Sequence, residues 1–330
     1  MKRIGLLAVA GLVVAGLCVP EAHGQSAGGA LVAYRAEADS YALSASLKVL
    51  RVLPLPVEVF APRTRAQIDS QPRAIGFAAP VDIPIGELLG LLGIPVTPPT
   101  FCYGYFPATP DNPADNQCGV VPFDSATGTR GMRVLAGAGS VHTSGDPEDI
   151  TRLAVRSQAA GNFVQAPIIS VGTVSSTSDT HVVDGVVEAR TTVSLGSIDI
   201  AGIVKIDSIE SSAVARANGA PGVAPPSAEL AIGGVSVAGV PVRLTGQGLT
   251  IGKVPSLPLI PIVGIGVPIP DTSAQIPLPG ADVVRSVVRA LNTAGVTFGV
   301  LDDPVEQVDA AGTEAHAEVK GLVIGIEDRA

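Results

Sequence analysis

The chain contains no tryptophan, two methionines, three cysteines and four histidines in 330 residues, and its aromatic content stops at four tyrosines and seven phenylalanines. Each scarcity removes a class of chemistry. His142, His181 and His316 have no second histidine or cysteine at metal-ligand spacing, so the sequence gives no reason to expect a metal or another cofactor. Lysine and arginine number 21 against 30 acidic residues, a net charge of −9. They form no cluster, and without a basic face to replace phosphate counterions nucleic acid is not expected as a partner. The acidic residues are scattered too, so there is no acidic tail.

Catalytic motifs are equally sparse. GVSVAG around Ser236 comes nearest to a nucleophile elbow, but Ala238 stands where the last glycine belongs. Neither a phosphate-cradling G-x-x-x-x-G-K nor a helix-opening G-x-G-x-x-G occurs. Asp302-Asp303 precede Pro304 in an acidic stretch that reads as a solvated loop. An enzyme would need carboxylates and a histidine brought together from distant strands. The expectation is a non-enzymatic protein, with a hydrolase of that assembled kind as the remote alternative.

The N-terminus MKRIGLLAVAGLVVAGLCVPEAHGQ has the form of an export leader: basic Lys2 and Arg3, an apolar run from Ile4 to Val19, then Ala22-His23-Gly24. Small residues at Ala22 and Gly24 predict cleavage before Gln25. The apolar run is shorter than the roughly 20 residues of a membrane span. A lipid anchor on Cys18 is the alternative, although Leu17 sits where lipoprotein processing favours a small residue. The expected organisation is a signal peptide over 1–24 and one large β-rich domain over 25–330, with a possible subdivision near 125–165. Localisation is expected to be secreted or in the extracytoplasmic envelope.

Loss of the leader leaves Cys102 and Cys118 as a pair, which outside the reducing cytosol predicts a disulfide. They flank FCYGYFPATPDNPADNQC, which concentrates Phe101, Tyr103, Tyr105 and Phe106. Closing this loop is worth about 3 kcal/mol on the chain-entropy model. Asp111 and Asp115 lack the regular oxygen spacing of a calcium loop, and no basic neighbour would activate either thiol. The aromatics either cap the loop's own small core or face a partner.

With 46% hydrophobic and 15% charged residues the composition is that of a folded, core-forming chain. Strand is the dominant pattern. Leu31 to Leu53 alternates small apolar and polar residues, and SVGTVSSTSDTHVVDGVVEARTTVSL centres on Asp184-Gly185, a strong hairpin signal. Asn218-Gly219 marks another turn. LGSIDIAGIV (195–204) and IGGVSVAGVP (232–241) form a weak repeat, read as two similar strand edges in one sheet. GADVVRSVVRALNTAG places Val284, Val287, Val288 and Leu291 on one face and predicts a helix over 281–294. GELLGLLG is a shorter helix candidate, and in GDPEDITRLAV, which starts at Gly145, Asp146-Pro147 reads as a helix N-cap and first position while the surrounding residues read as strand, so that 146–158 is open between the two. The predicted fold is therefore mainly β: a long, antiparallel, curved sheet packed around one C-terminal helix, with a disulfide-stapled loop.

Two proline-rich apolar stretches fit neither template. In VPSLPLIPIVGIGVPIP (254–270), Leu257, Leu259, Ile260, Ile262, Val263 and Ile265 are candidates to line a binding surface with Val284 and Val288 of the helix. The partner would be a lipid or another apolar small molecule. A buried connection crossing the core is the structural alternative.

SVGTVSSTSDT, IVKIDSIESSAVARANG, GVTFGVL and AHAEVKGLVIGIE resemble segments of secreted proteins of high-GC Gram-positive bacteria. The resemblance runs from Ser170 to the C-terminus and implies export without supplying catalytic residues. A helix wrapped by long antiparallel strands is similar, by architecture only, to the tubular lipid-binding fold of bactericidal permeability proteins. The leading functional expectation is an exported binding or envelope-associated protein for an apolar ligand or lipid. Its rival is a structural or adhesive protein whose aromatic loop meets a surface macromolecule.

Overall fold

The computed structural model describes residues 9–13, 17–27, 30–48, 56–82, 101–120, 123–124, 133–165, 169–200, 202–245, 248–250, 289, 296–300, 304–319 and 322–326. Strands are numbered in chain order. The first sheet contains β1 (Val9–Val13), β2 (Leu17–Ala27), β3 (Ala30–Lys48), β4 (Pro56–Asp69), β5 (Arg73–Ala79), β6 (Cys102–Phe106), β22 (Val305–Val308) and β23 (Glu314–Glu318). Its order is β22-β23-β2-β3-β4-β5-β6, with β1 also on β3.

The second sheet begins with β7 (Asp115–Val120), β8 (Phe123–Asp124), β9 (Arg133–Asp146) and β10 (Asp149–Gln165). It continues through β11 (Ile169–Val171), β12 (Thr173–Val183), β13 (Val186–Leu195), β14 (Ile198–Ile200), β15 (Val204–Ile206) and β16 (Ile209–Ala217). Its last members are β17 (Ser227–Ile232), β18 (Val235–Val237), β19 (Val240–Thr245) and β20 (Gly248–Thr250). A separate antiparallel pair joins β21 (Val296–Val300) to β24 (Leu322–Ile326).

The two large sheets pack face to face, with β2–β5 against β9, β10, β12, β13 and β16. Period-two alternation makes this possible: Ala36, Ala38, Ser40, Thr64, Ala66, Ala74 and Ala78 point inward from one sheet, and Ser157, Ala159, Ser176, Ser178 and Ala189 from the other. Such small side chains leave no room for a helix between the sheets. They let the backbones approach until Ser176 Oγ donates to the carbonyl of Ser40, and Ser178 Oγ to that of Thr64, both at 3.1 Å.

At the centre the hydroxyls of Ser40, Thr64, Ser176 and Ser178 form one cluster, with O···O distances of 2.7–3.1 Å. A mutually bonded hydroxyl group of this kind avoids the cost of burying an unpaired polar atom. Ile68, Leu153, Val155 and Val187 supply larger apolar bulk toward one end.

The expected sheet wrapped around a helix is thus corrected to a sheet-on-sheet core. The 281–294 helix lies outside the described residues apart from Arg289, which is helical, and GELLGLLG lies outside them altogether; no other described residue is helical. The ambiguous 146–158 segment resolves as a hairpin joining β9 to β10, with the Asp146 carboxylate accepting from the Glu148 amide across the turn. Those residues alternate buried Leu153, Val155 and Ser157 with exposed Arg152 and Arg156, a strand pattern that outweighs the capping signal of Asp146-Pro147.

Asp184 and Gly185 form the β12–β13 turn with φ of 51° and 72°, the left-handed geometry that a two-residue hairpin needs. The repeat also has a structural counterpart. β11, β14, β15 and β18 continue β12, β13, β16 and β17 in the same lateral order. A crease crosses all four long strands at Gly172, Gly196-Ser197, Asp207-Ser208 and Gly233-Gly234, spanned by amide bonds such as Gly172 to Ser197 at 2.8 Å. The two copies are the second and fourth strands of this meander.

β2 takes in the end of the expected leader. Glu21, Ala22 and His23 pair with Glu37, Ala36 and Arg35 on one side and with His316, Ala315 and Glu314 on the other, and Ala22 is fully buried.

Candidate functional site: an aromatic face beside a disulfide-tied edge

β6 forms one edge of the first sheet, and its alternation sends Cys102 and Gly104 inward while Phe101, Tyr103 and Tyr105 face outward. Cys102 and Cys118 are disulfide-bonded, with Cα atoms 5.5 Å apart. The bond ties β6 to β7, the neighbour of β9 in the opposite sheet. It packs on Ala78, Val141 and Ala159. The staple predicted from the two cysteines is present, and it joins two sheets rather than only closing a loop.

The edge is further covered by the loop it closes. The Tyr105 amide donates to the Pro113 carbonyl at 3.0 Å, and Asn116 Nδ2 donates to the Tyr103 carbonyl at 3.0 Å. Thr109 and Asn112 exchange backbone bonds of 2.9 and 3.1 Å at the loop tip. With these groups satisfied, β6 offers little template for pairing with another strand. What remains available is its outer face.

On that face four rings form a continuous cluster. Phe77 of β5 lies 5.1 Å from Tyr103 and 6.2 Å from Phe101; Phe101 and Tyr103 are 5.5 Å apart, and Tyr105 follows at 5.9 Å. Phe101 is 48% exposed and Tyr103 39%, unusual for rings of this size. Burial among its neighbours, followed by the nearby Tyr105 and Asp82, pushes the Tyr103 phenol above its ordinary pKa. The hydroxyl therefore stays protonated and able to donate.

Across the sheet the aromatic cluster gives way to ion pairs. One rung of the ladder reads Tyr103, Phe77, Arg65 and Asp39, and the next reads Tyr105, Ile75, Gln67 and Glu37. Arg63 bonds Asp39 and Asp82, each at 2.9 Å, and lies over the Phe60 ring at 4.9 Å; Phe60 in turn packs on Tyr41 at 4.8 Å. Arg65 pairs with Asp39 at 2.8 Å and Glu37 at 3.7 Å. Arg35 pairs with Glu37 at 3.1 Å and Arg73 with Asp69 at 2.7 Å. Burial pushes the Asp39 carboxyl up, but hydrogen bonds and charge from Arg63 and Arg65 prevail and hold it below the usual range.

The remaining titratable clusters are ion pairs and one partly buried network, in which Glu188 meets His181, Arg190 and Arg216. His142 bonds Asp115 on an exposed face. His181 lies 3.3 Å from Asp179 and 3.9 Å from Glu188, and His316 lies 3.4 Å from Glu21. Among the described residues no group of three or more His, Cys, Asp or Glu side chains is placed to hold a metal ion. An open depression of about 410 Å³ over β9, β10 and β12 is lined by small groups such as Ala138, Ala160, Thr173 and Ser175. No histidine or carboxylate lines it.

Leu257, Leu259, Ile260, Ile262, Val263, Ile265, Val284 and Val288, the expected apolar surface, lie outside the described residues. Sequence reasoning located Phe101, Tyr103 and Tyr105 but missed Phe77, Arg63 and Arg65, which reach the same face only through strand pairing. Their one local signal was the alternation within β4 and β5. Among the described residues no helix is long and apolar enough to cross a membrane. The chain matches no protein family, no curated protein and no solved structure.

Proposed function

We propose that the protein is an exported, non-enzymatic adhesive protein of the cell envelope, which docks through the aromatic face of β5 and β6. The observation that carries this reading is the four-ring cluster with Phe101 and Tyr103 exposed at a strand that is hydrogen-bonded into one sheet and disulfide-tied to the other. Large rings left in water forgo the favourable free energy of apolar burial until they are covered, and clustered ones mark contact surfaces. The sandwich interior offers the other option, an enclosed site for lipid, little support: it is filled by small side chains and a bonded hydroxyl cluster.

Export rests on the leader pattern and on the resemblance to secreted proteins. Cleavage after Gly24 would remove β1 and Leu17 to Gly24 of β2, both of which pair with β3, whereas the ring-bearing β5 and β6 lie on the other side of β3 and β4. The test is co-sedimentation of the purified protein with envelope fragments from a high-GC Gram-positive bacterium. The Phe101→Ser/Tyr103→Ser variant is expected to stay in the supernatant while unfolding at the wild-type temperature. Equal sedimentation of variant and wild type refutes the reading.

A further inference from the structure

We infer that the aromatic face recognises a neutral polysaccharide, a polymer that presents the apolar C–H faces of its sugar rings to Phe101, Tyr103 and Phe77 and its hydroxyls to the adjoining ion pairs. This rests on the adhesive reading and adds the chemistry of what is bound.

Charge is the first argument. The face beside the rings carries Arg35, Arg63, Arg65 and Arg73, and each is bonded to a carboxylate from Glu37, Asp39, Asp69 or Asp82. The four cations and four anions cancel. Among the described residues of β3 to β6 on this face, a polyanion finds no arginine without a bonded carboxylate to replace its counterions, and a polycation finds none of Glu37, Asp39, Asp69 and Asp82 without a bonded arginine. The surface fits an uncharged ligand.

The second argument separates a polyol from a protein. A dry protein interface would strip water from Arg65 (44% exposed) and Glu37 (31%), and interface cores are depleted in such charges because that desolvation is costly. Sugar hydroxyls both donate and accept, so they can bond the outer lone pairs of Asp39 and Glu37 and the free N–H groups of Arg65 while water stays in the gaps.

The rings supply the third. The electron-rich ring faces attract polarised C–H groups, and the tilted arrangement presents them in several directions across neighbouring positions rather than as one flat slab. The Tyr103 hydroxyl, kept protonated, adds a donor at the boundary between the apolar and polar halves.

The experiment measures depletion of the full exported chain onto insoluble cellulose and chitin, with chitosan and pectate as charged counterparts. Binding to a neutral polymer, unchanged between low and high salt, is expected. Tyr103→Ala and Phe101→Ala should each weaken it about 3- to 10-fold without moving the unfolding midpoint, and Tyr103→Trp should preserve it. Failure to bind either neutral polymer, or binding that follows polymer charge and vanishes in salt, overturns the assignment.

Envelope fragments treated with periodate or with protease separate the two levels of the argument. Retention that survives periodate but not protease, and still needs Tyr103, leaves the adhesive reading standing and refutes the polysaccharide. Retention that ignores Tyr103 and Phe101 refutes both.

Discussion

A β carbon on Gly76 would sit 2.2 Å from Val141 Cγ1, 2.8 Å from Ser157 Oγ and 3.0 Å from Val155 Cγ1. Gly76→Ala therefore sets two magnitudes against each other. Alanine is ordinarily better than glycine within a strand by about 0.5–1 kcal/mol, because it has less backbone freedom to lose. Overpacking a close-packed interior costs about 1–3 kcal/mol. Here the obstruction comes from two valines, whose χ1 angles are stiff, on β9 and β10 of the opposite sheet. No single rotamer change clears both, so the clash should prevail by about 1–2 kcal/mol. In a urea titration the midpoint should fall by roughly 0.5–1 M with an unchanged slope. The partner substitution makes the test specific. Val141→Ala alone should cost about 2 kcal/mol by leaving a gap, but combined with Gly76→Ala the loss should be smaller than the sum by about 1 kcal/mol or more. A Gly76→Ala protein as stable as wild type, or strict additivity of the pair, would mean that the sheets do not approach as closely as described.

Two further outcomes are expected. The hydroxyls of Thr180 and Thr191 are buried and find no hydrogen-bond partner among the described residues, so Thr191→Val and Thr180→Val should each raise stability by about 1 kcal/mol; a lower unfolding temperature in both would contradict that. The hydrogen bond to Asp179 raises the His181 pKa against the opposing effect of burial. Its contribution is thus fully present below the unfolded value of about 6.5 and lost as pH rises through the folded value above it. His181→Gln should flatten the decline of the thermal midpoint above about pH 6.5, and superimposable profiles for the two proteins would refute the coupling.

The strands were legible where burial follows local alternation. β12 and β13 read directly from Val, Ser and Thr at alternate positions, and their Asp184-Gly185 turn from backbone chemistry. Which face of each strand turns inward was harder to read, because alanine and serine at inward positions such as Ala36, Ser40 and Ser176 look indifferent to burial. Their smallness becomes informative only once the opposite sheet is in place. Leu17 to Gly24 shows the limit of local pattern. Small and apolar residues suit both a leader and an inner strand, so export and the pairing of Ala22 between Ala36 and Ala315 lay claim to the same segment. N-terminal sequencing of the exported protein distinguishes them. The docking face was half legible: the density of rings around Tyr103 stood out, whereas Phe77, Arg63 and Arg65 are separated from it in sequence by an interval that only sheet register closes.

The bond between Cys102 and Cys118 also determines how the molecule would respond to being pulled. An edge strand held only by one ladder can be peeled away, one hydrogen bond breaking at a time. A tether on Tyr103 instead draws on a strand whose neighbouring residue is fastened to Cys118, opposite Gly139 in β9. Tension at the aromatic face divides between β5 in one sheet and β9 in the other, and many hydrogen bonds must yield together. Under a reducing agent the same pull would reach the second sheet only through hydrogen bonds such as that of Asn116 to Tyr103, and attachment would fail at lower force although every ring still stood in place.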